Sequence, residues 1–224
     1  MGKRLINAQK EVDATKSYSI AEAVALAKKT ATTKFTGNIE VHVRLGIDPK
    51  KTDQTVRTTV TLPHGTGKTK RIAAFVTSGK EKEAQTAGAT VVGGEELIKS
   101  IKETEHLNFD IALAEPAMMP KLAAIAKLLG PRGLMPNPKS GTVAADIGKA
   151  IKEFATGKTE FKNDESGNVH MILGKSNFPD EQIIANLKTF TDALSQSRPA
   201  GLKKEYIMAM TLHSTMGPGI KVKF

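Results

Sequence analysis

Residues 39–45 read Ile-Glu-Val-His-Val-Arg-Leu, apolar at every odd position and polar at every even one. Successive side chains of a strand point to opposite faces, so this stretch predicts a strand with one apolar face and one polar face. Val56, Thr58, Val60 and Leu62 repeat the pattern against Arg57, Thr59 and Thr61. Val169, Met171 and Leu173 then alternate with His170 and Ile172. Such alternation suits a half-covered, mostly antiparallel sheet.

Between these segments the pattern changes. A short apolar strand over 71–76 ends at Ser78-Gly79, and a helical stretch over 80–87 stops at Gly88. Thr90-Val91-Val92 closes at Gly93-Gly94, a helix is predicted over 95–103, and 110–114 is strand-like. Met118, Leu122, Ile125 and Leu129 form a helical stripe, and a last helix is predicted over 144–154. Strand–helix alternation at this spacing implies right-handed crossovers and a small parallel sheet. In the flanks, Ser19 and Glu22 make a capping box for a helix over 19–30. Pro179 opens a second helix with Ile183, Leu187, Phe190 and Leu194 as its buried stripe. Strands are expected over 206–212 and 220–224. Each flank alone has a marginal core, but together they complete a domain. The fold class is therefore α/β with two domains. Residues 1–66 plus 157–224 form an outer two-layer sandwich with a mostly antiparallel sheet. Residues 67–156 form an inserted, Rossmann-like parallel domain.

The chain has 224 residues with 33 Lys and Arg against 23 Asp and Glu, a formal net charge of +10. That balance favours an anionic partner, nucleic acid first among them. The central block carries 13 basic and 10 acidic residues, leaving 20 and 13 on the flanks, so the outer domain is the expected primary nucleic-acid surface. Aromatic residues are only 4%, which argues against a surface built on many stacking rings. Cysteine is absent, which excludes disulfides, thiol catalysis and Cys-bearing zinc sites. No run approaches the roughly 18 apolar residues of a membrane helix. Met1-Gly2-Lys3-Arg4 precedes no apolar stretch, so no signal peptide is read and a cytoplasmic location is expected.

His64-Gly65-Thr66-Gly67-Lys68-Thr69 imitates a phosphate loop, but Leu62 stands where G-x-x-x-x-G-K-[ST] requires glycine. The segment is read instead as a flexible basic linker. None of His42, His64, His106, His170 and His213 forms a recognisable ligand motif, so no metal site, cofactor or catalytic residue is predicted. Residues 130–142, Gly-Pro-Arg-Gly-Leu-Met-Pro-Asn-Pro-Lys-Ser-Gly-Thr, hold Arg132 and Lys139 on a proline-stiffened loop suited to a secondary RNA contact. Thr215-Met216-Gly217-Pro218-Gly219 offers small and hydroxyl residues at a turn. Backbone and hydroxyl there could reach phosphate or ribose 2′-OH groups, and Met216 could pack on a base. A surface position is expected for the turn, so changes at Thr215 and Met216 should spare the melting temperature.

The proline-rich loop, Lys34-Phe35 followed by Ile39-Glu40-Val41, Leu45-Gly46-Ile47-Asp48-Pro49, Leu62-Pro63-His64-Gly65 and Thr215-Met216-Gly217-Pro218 together resemble the ribosomal protein L-one family, bacterial type. The resemblance implies a structural component of the large ribosomal subunit that binds large-subunit rRNA in the mobile side stalk. It further implies help in releasing deacylated exit-site tRNA and repression through the chain's own operon mRNA leader. The chain would be a monomer when free. Family RNA-contact positions match Lys34, Phe35, Glu40, Thr215, Met216 and Gly217, and Asp164, Ser166 and Gly167 match a neighbouring contact loop. A freestanding translational regulator and a nucleotide-using enzyme are the competing readings.

Overall fold

The computed structural model describes residues 2–202 and 204–224. In chain order its helices are α1 (Lys3–Lys10), α2 (Ile20–Lys29), α3 (Glu81–Thr86), α4 (Glu95–Thr104), α5 (Met119–Leu122), α6 (Ala126–Leu129), α7 (Ile147–Thr156) and α8 (Asp180–Gln196). The strands are β1 (Asn38–Leu45), β2 (Arg57–Thr61), β3 (Ile72–Phe75), β4 (Val91–Gly93), β5 (Ile111–Ala114), β6 (Lys158–Lys162), β7 (Asn168–Lys175), β8 (Ile207–Ser214) and β9 (Ile220–Val222). The chain divides into two compact units, residues 1–67 with 159–224, and residues 68–158.

In the first unit the order β7-β1-β8-β9 forms an antiparallel sheet, and β2 and β6 pair separately. The alternation in β1 has its predicted result. Ile39, Val41, Val43 and Leu45 are buried, while Glu40, His42 and Arg44 face outward. The buried face packs with α2 and α8, whose Ala23, Val24, Ala27, Ile183, Leu187, Phe190 and Leu194 belong to the same core. The Ser19–Glu22 capping box opens α2 as expected. Asn186, fully buried on α8, accepts from the His64 amide at 3.2 Å and donates to the Gly65 and Leu173 carbonyls at 2.9 and 2.7 Å. Residues 64–65 are therefore clamped onto this unit, not the flexible linker read from their composition. Pairing of a buried amide in this way avoids the cost of leaving it unsatisfied.

The second unit holds the parallel sheet β4-β3-β5. Ile72, Ala74 and Val76 enter one core with Ala84 of α3 and Ile147, Ile151 and Phe154 of α7. Ala73 and Phe75 enter another, with Ile98 and Ile101 of α4 and the Met118–Leu129 stripe. That stripe is buried as expected, but its helix is broken into 3-10 and α segments between residues 116 and 129. Pro116 and Pro120 start new turns there because proline cannot supply the amide that a continuous helix needs. Helix α7 begins at Ile147, three residues later than predicted, since Asp146 caps it by accepting from the Lys149 amide at 2.9 Å.

Candidate nucleic-acid interface

The turn after β8 is closed by the Gly217 amide, which donates to the Ser214 carbonyl at 2.7 Å. Within it Met216 adopts φ +64°. A non-glycine residue in the left-handed region costs roughly 1–2 kcal/mol. Yet its side chain is 66% exposed and fills no core. Arg4 holds this geometry, donating through Nη2 to the Met216 carbonyl at 2.9 Å and through Nη1 to Thr32 Oγ1 at 3.3 Å. Gly217 has no room for a side chain, because a Cβ would lie 2.3 Å from Ser214 Oγ.

Thr215 ties this turn to the start of β1. Its amide donates to the Asn38 carbonyl at 2.9 Å, and its hydroxyl accepts from the Asn38 amide at 2.9 Å. The same hydroxyl donates to Glu40 Oε1 at 3.1 Å. It is thus engaged within the protein, where composition alone made it a free surface group. Ahead of Asn38, Gly37 packs against Thr215, and Lys34 and Phe35 are exposed, Phe35 by 55%. Glu40, Thr215, Met216 and Gly217 thereby share one strand end, with Lys34 and Phe35 exposed on the segment that leads into it. Among the described residues, two buried oxygens here, Asn38 Oδ1 and Ser214 Oγ, have no hydrogen-bond partner. Unpaired buried groups are uncommon and tend to mark functional sites.

The loop between β6 and β7 is organised by Asp164. Its Oδ1 accepts from the Ser166 and Asn168 amides at 2.9 and 2.7 Å, and its Oδ2 from Asn168 Nδ2 at 3.1 Å and His170 Nε2 at 3.3 Å. Burial acts to raise the Asp164 pKa, but these bonds outweigh it and hold the carboxyl at about 2. Asp164 therefore braces the loop and exposes Ser166, while Gly167 takes φ +80° and its carbonyl accepts from the Leu45 amide at 3.0 Å.

Three histidines that sequence spacing left unrelated meet between these two groups. In the ladders, His42 of β1 stands opposite His170 of β7, and Glu40 stands opposite His213 of β8. The His42 ring is edge-on to His170 with centroids 4.7 Å apart, and stacked on His213 at 4.5 Å. His42 Nδ1 hydrogen-bonds His170 Nδ1, and His42 Nε2 faces His213 Nε2. Burial, then the neighbouring His213 and His170, lower the pKa of His42 against a weaker opposing pull from Glu40. The signal that could have found this cluster is strand register, since cross-strand neighbours share a face.

Arg132 and Lys139 belong to the second unit and are exposed. Their loop is pinned by Asn137, whose Oδ1 accepts from the Lys139 amide at 2.9 Å and whose amide donates to Thr142 Oγ1 at 2.8 Å. In the same unit the loop after β3 is occupied internally. The Thr77 amide and hydroxyl donate to Glu115 Oε2 at 2.9 and 2.7 Å, and Lys80 Nζ donates to Oε1 at 2.6 Å. A carboxylate of the chain itself takes the donors that a phosphate would need in a nucleotide-binding loop.

Residues 27–218 match the family model described as the ribosomal protein L1p/L10e family. The chain is 49% identical over its whole length to the large ribosomal subunit protein uL1 of Mycoplasma capricolum subsp. capricolum, covering 99% of that protein. It is 48% identical to the protein of the same name from Mesoplasma florum, covering 100% of this chain and 98% of that one. It is 46% identical to that of Thermosipho africanus, covering 98% and 95% respectively.

Proposed function

The chain belongs to the ribosomal protein L1p/L10e family, and from that premise we propose that it is a large-subunit component whose first unit grips folded large-subunit rRNA. The observation that carries this reading is Met216. An apolar side chain is displayed to solvent at 66% exposure from a left-handed backbone, which costs stability and secures no packing. Strain of this kind persists where the surroundings impose it for a function. Phe35, also exposed, precedes the strand to which Thr215 is tied. Together they offer an apolar contact for a base or ribose, with backbone and Lys34 beside it for phosphate. Asp164 orders a second loop at the far end of β1, from which Ser166 is exposed. Arg132 and Lys139 give the second unit a secondary contact.

The proposal is non-enzymatic and extends, on the family resemblance, to release of deacylated exit-site tRNA and repression through the chain's own mRNA leader. The free protein would be a monomer working in the cytoplasm. Sedimentation with large subunits after a salt wash tests it. The chain should remain with the subunit, and Met216→Asp should not. A chain that washes off while still binding its own mRNA leader would favour the freestanding regulator.

A further inference from the structure

The hydrogen bonds around the three histidines fix where their hydrogens lie. His213 Nδ1 is 2.8 Å from the Ser214 carbonyl, which only an N–H can satisfy. Its Nε2 is then a lone pair. Asp164 Oδ2 is an acceptor, so His170 donates to it through Nε2 and presents a lone pair at Nδ1. His42 must donate to that lone pair through its own Nδ1, leaving Nε2 bare. For neutral rings this assignment follows from the network. It then leaves two imidazole lone pairs facing each other, with Glu40 Oε2 at 4.0 Å from His213 Nε2. Such a contact is satisfied by a cation, either a proton shared between the rings or a metal ion.

We propose that Glu40, His42 and His213 form a binding site for a divalent transition-metal ion of the zinc class. The three offer one ligand atom each, all within 4.8 Å of one another, and each residue is half-buried. Two imidazole nitrogens and a carboxylate oxygen are the donor set of an open tetrahedral zinc site, with a fourth position for water or substrate. Hard oxygen-seeking ions such as magnesium are poorly served by two nitrogens, and no thiolate is present to select a softer one. Metal-binding histidines nearly always donate their other N–H to a carbonyl or carboxylate, which fixes the ring and raises its basicity. That arrangement is already complete. His213 donates to Ser214, His42 donates through His170 toward Asp164, and Thr215 holds the remaining Glu40 oxygen at 3.1 Å. A tetrahedral ion with Zn–N of about 2.0–2.1 Å would part the two Nε2 atoms to about 3.3 Å.

The test titrates untagged, chelator-treated full-length protein with Co²⁺, read by the visible absorption of four-coordinate cobalt, and with Zn²⁺, read by calorimetry. One equivalent should bind with the four-coordinate spectrum. His213→Asn and Glu40→Gln should each weaken binding by about tenfold or more, while His64→Gln and His106→Gln should leave it unchanged. Zn²⁺ should raise the melting temperature of the wild-type chain but not of His213→Asn, because only the native site is linked to the metal. Circular dichroism confirms that the variants are folded, and either one alone suffices for the comparison. Wild-type protein that binds no metal, or binds it equally after both substitutions, would overturn the proposal and leave the cluster sharing a proton between His42 and His213.

Discussion

Replacing Thr215 with valine keeps the shape of the side chain and deletes a hydroxyl that makes three contacts, the longest with the Asn38 carbonyl at 3.3 Å. The Asn38 amide loses its side-chain acceptor at 2.9 Å, and Glu40 Oε1 loses its donor at 3.1 Å. A net hydrogen bond contributes about 0.5–1.5 kcal/mol, and a group left unpaired when buried costs about 1–3 kcal/mol. Both partners here are only partly buried, so the expected loss is about 1–2 kcal/mol of stability. In a unit of this size that is a fall of roughly 3–8 °C in melting temperature. A surface position for the turn, read from sequence alone, predicts no such fall. RNA affinity should also fall, by about three- to tenfold, as Glu40 and the turn lose their common anchor. Calorimetry and equilibrium binding to a large-subunit rRNA fragment measure the two effects, and Thr215→Ser should restore both. An unchanged melting temperature with lost affinity would show that the hydroxyl meets RNA directly and that its role in holding the turn is wrong.

Met216→Gly should separate stability from binding. Glycine removes the left-handed strain, so the melting temperature should hold or rise, while RNA affinity falls by about tenfold; a variant binding at wild-type strength would deny Met216 its contact. Glu115 is buried, which acts to raise its pKa, but Lys80 and Thr77 hold it down from 4.5 to about 2. Its stabilisation of the second unit is therefore complete above about pH 4.5 and drains away as the pH falls toward 2, a dependence that Glu115→Gln should flatten in acid melts. Identical acid profiles for the two chains would refute that role. Specific RNA binding should have a log–log salt slope near −3 to −4, from about four or five neutralised phosphates, and a slope steeper than about −8 would mean that charge outweighs shape.

Much of this fold is legible residue by residue. Alternation over 39–45 gives the buried face of β1, and the stripe from Ile183 to Leu194 gives the buried face of α8. Helix α1 escapes because only Ala8 among its residues is buried, so no apolar stripe announces it. Strand β6 escapes for the same reason, with Phe161 its one buried residue. The break of the Met118–Leu129 stripe was visible in Pro116 and Pro120 but lost beneath its periodicity. At the candidate site, Met216 and Gly217 stand out by composition, whereas the backbone angle that makes Met216 unusual does not. The histidine cluster is invisible until strand order is known, since His42 and His213 are 171 residues apart and meet only through the pairing of β1 with β8.

The central claim is that the first unit holds the RNA. It is tested most directly by joining residues 1–67 to 159–224 through a short Gly/Ser linker and measuring affinity for the large-subunit rRNA fragment beside the whole protein. The paired segments contain the complete four-stranded sheet, both packing helices and every residue gathered around Thr215, so the joined chain should fold and keep its affinity within about tenfold. Phe35→Ala and Met216→Asp should abolish specificity in that background as they do in the whole chain. A folded joined chain that binds no better than an unrelated basic protein, while Arg132→Ala and Lys139→Ala weaken the whole protein, would contradict the account and move the primary site to the second unit.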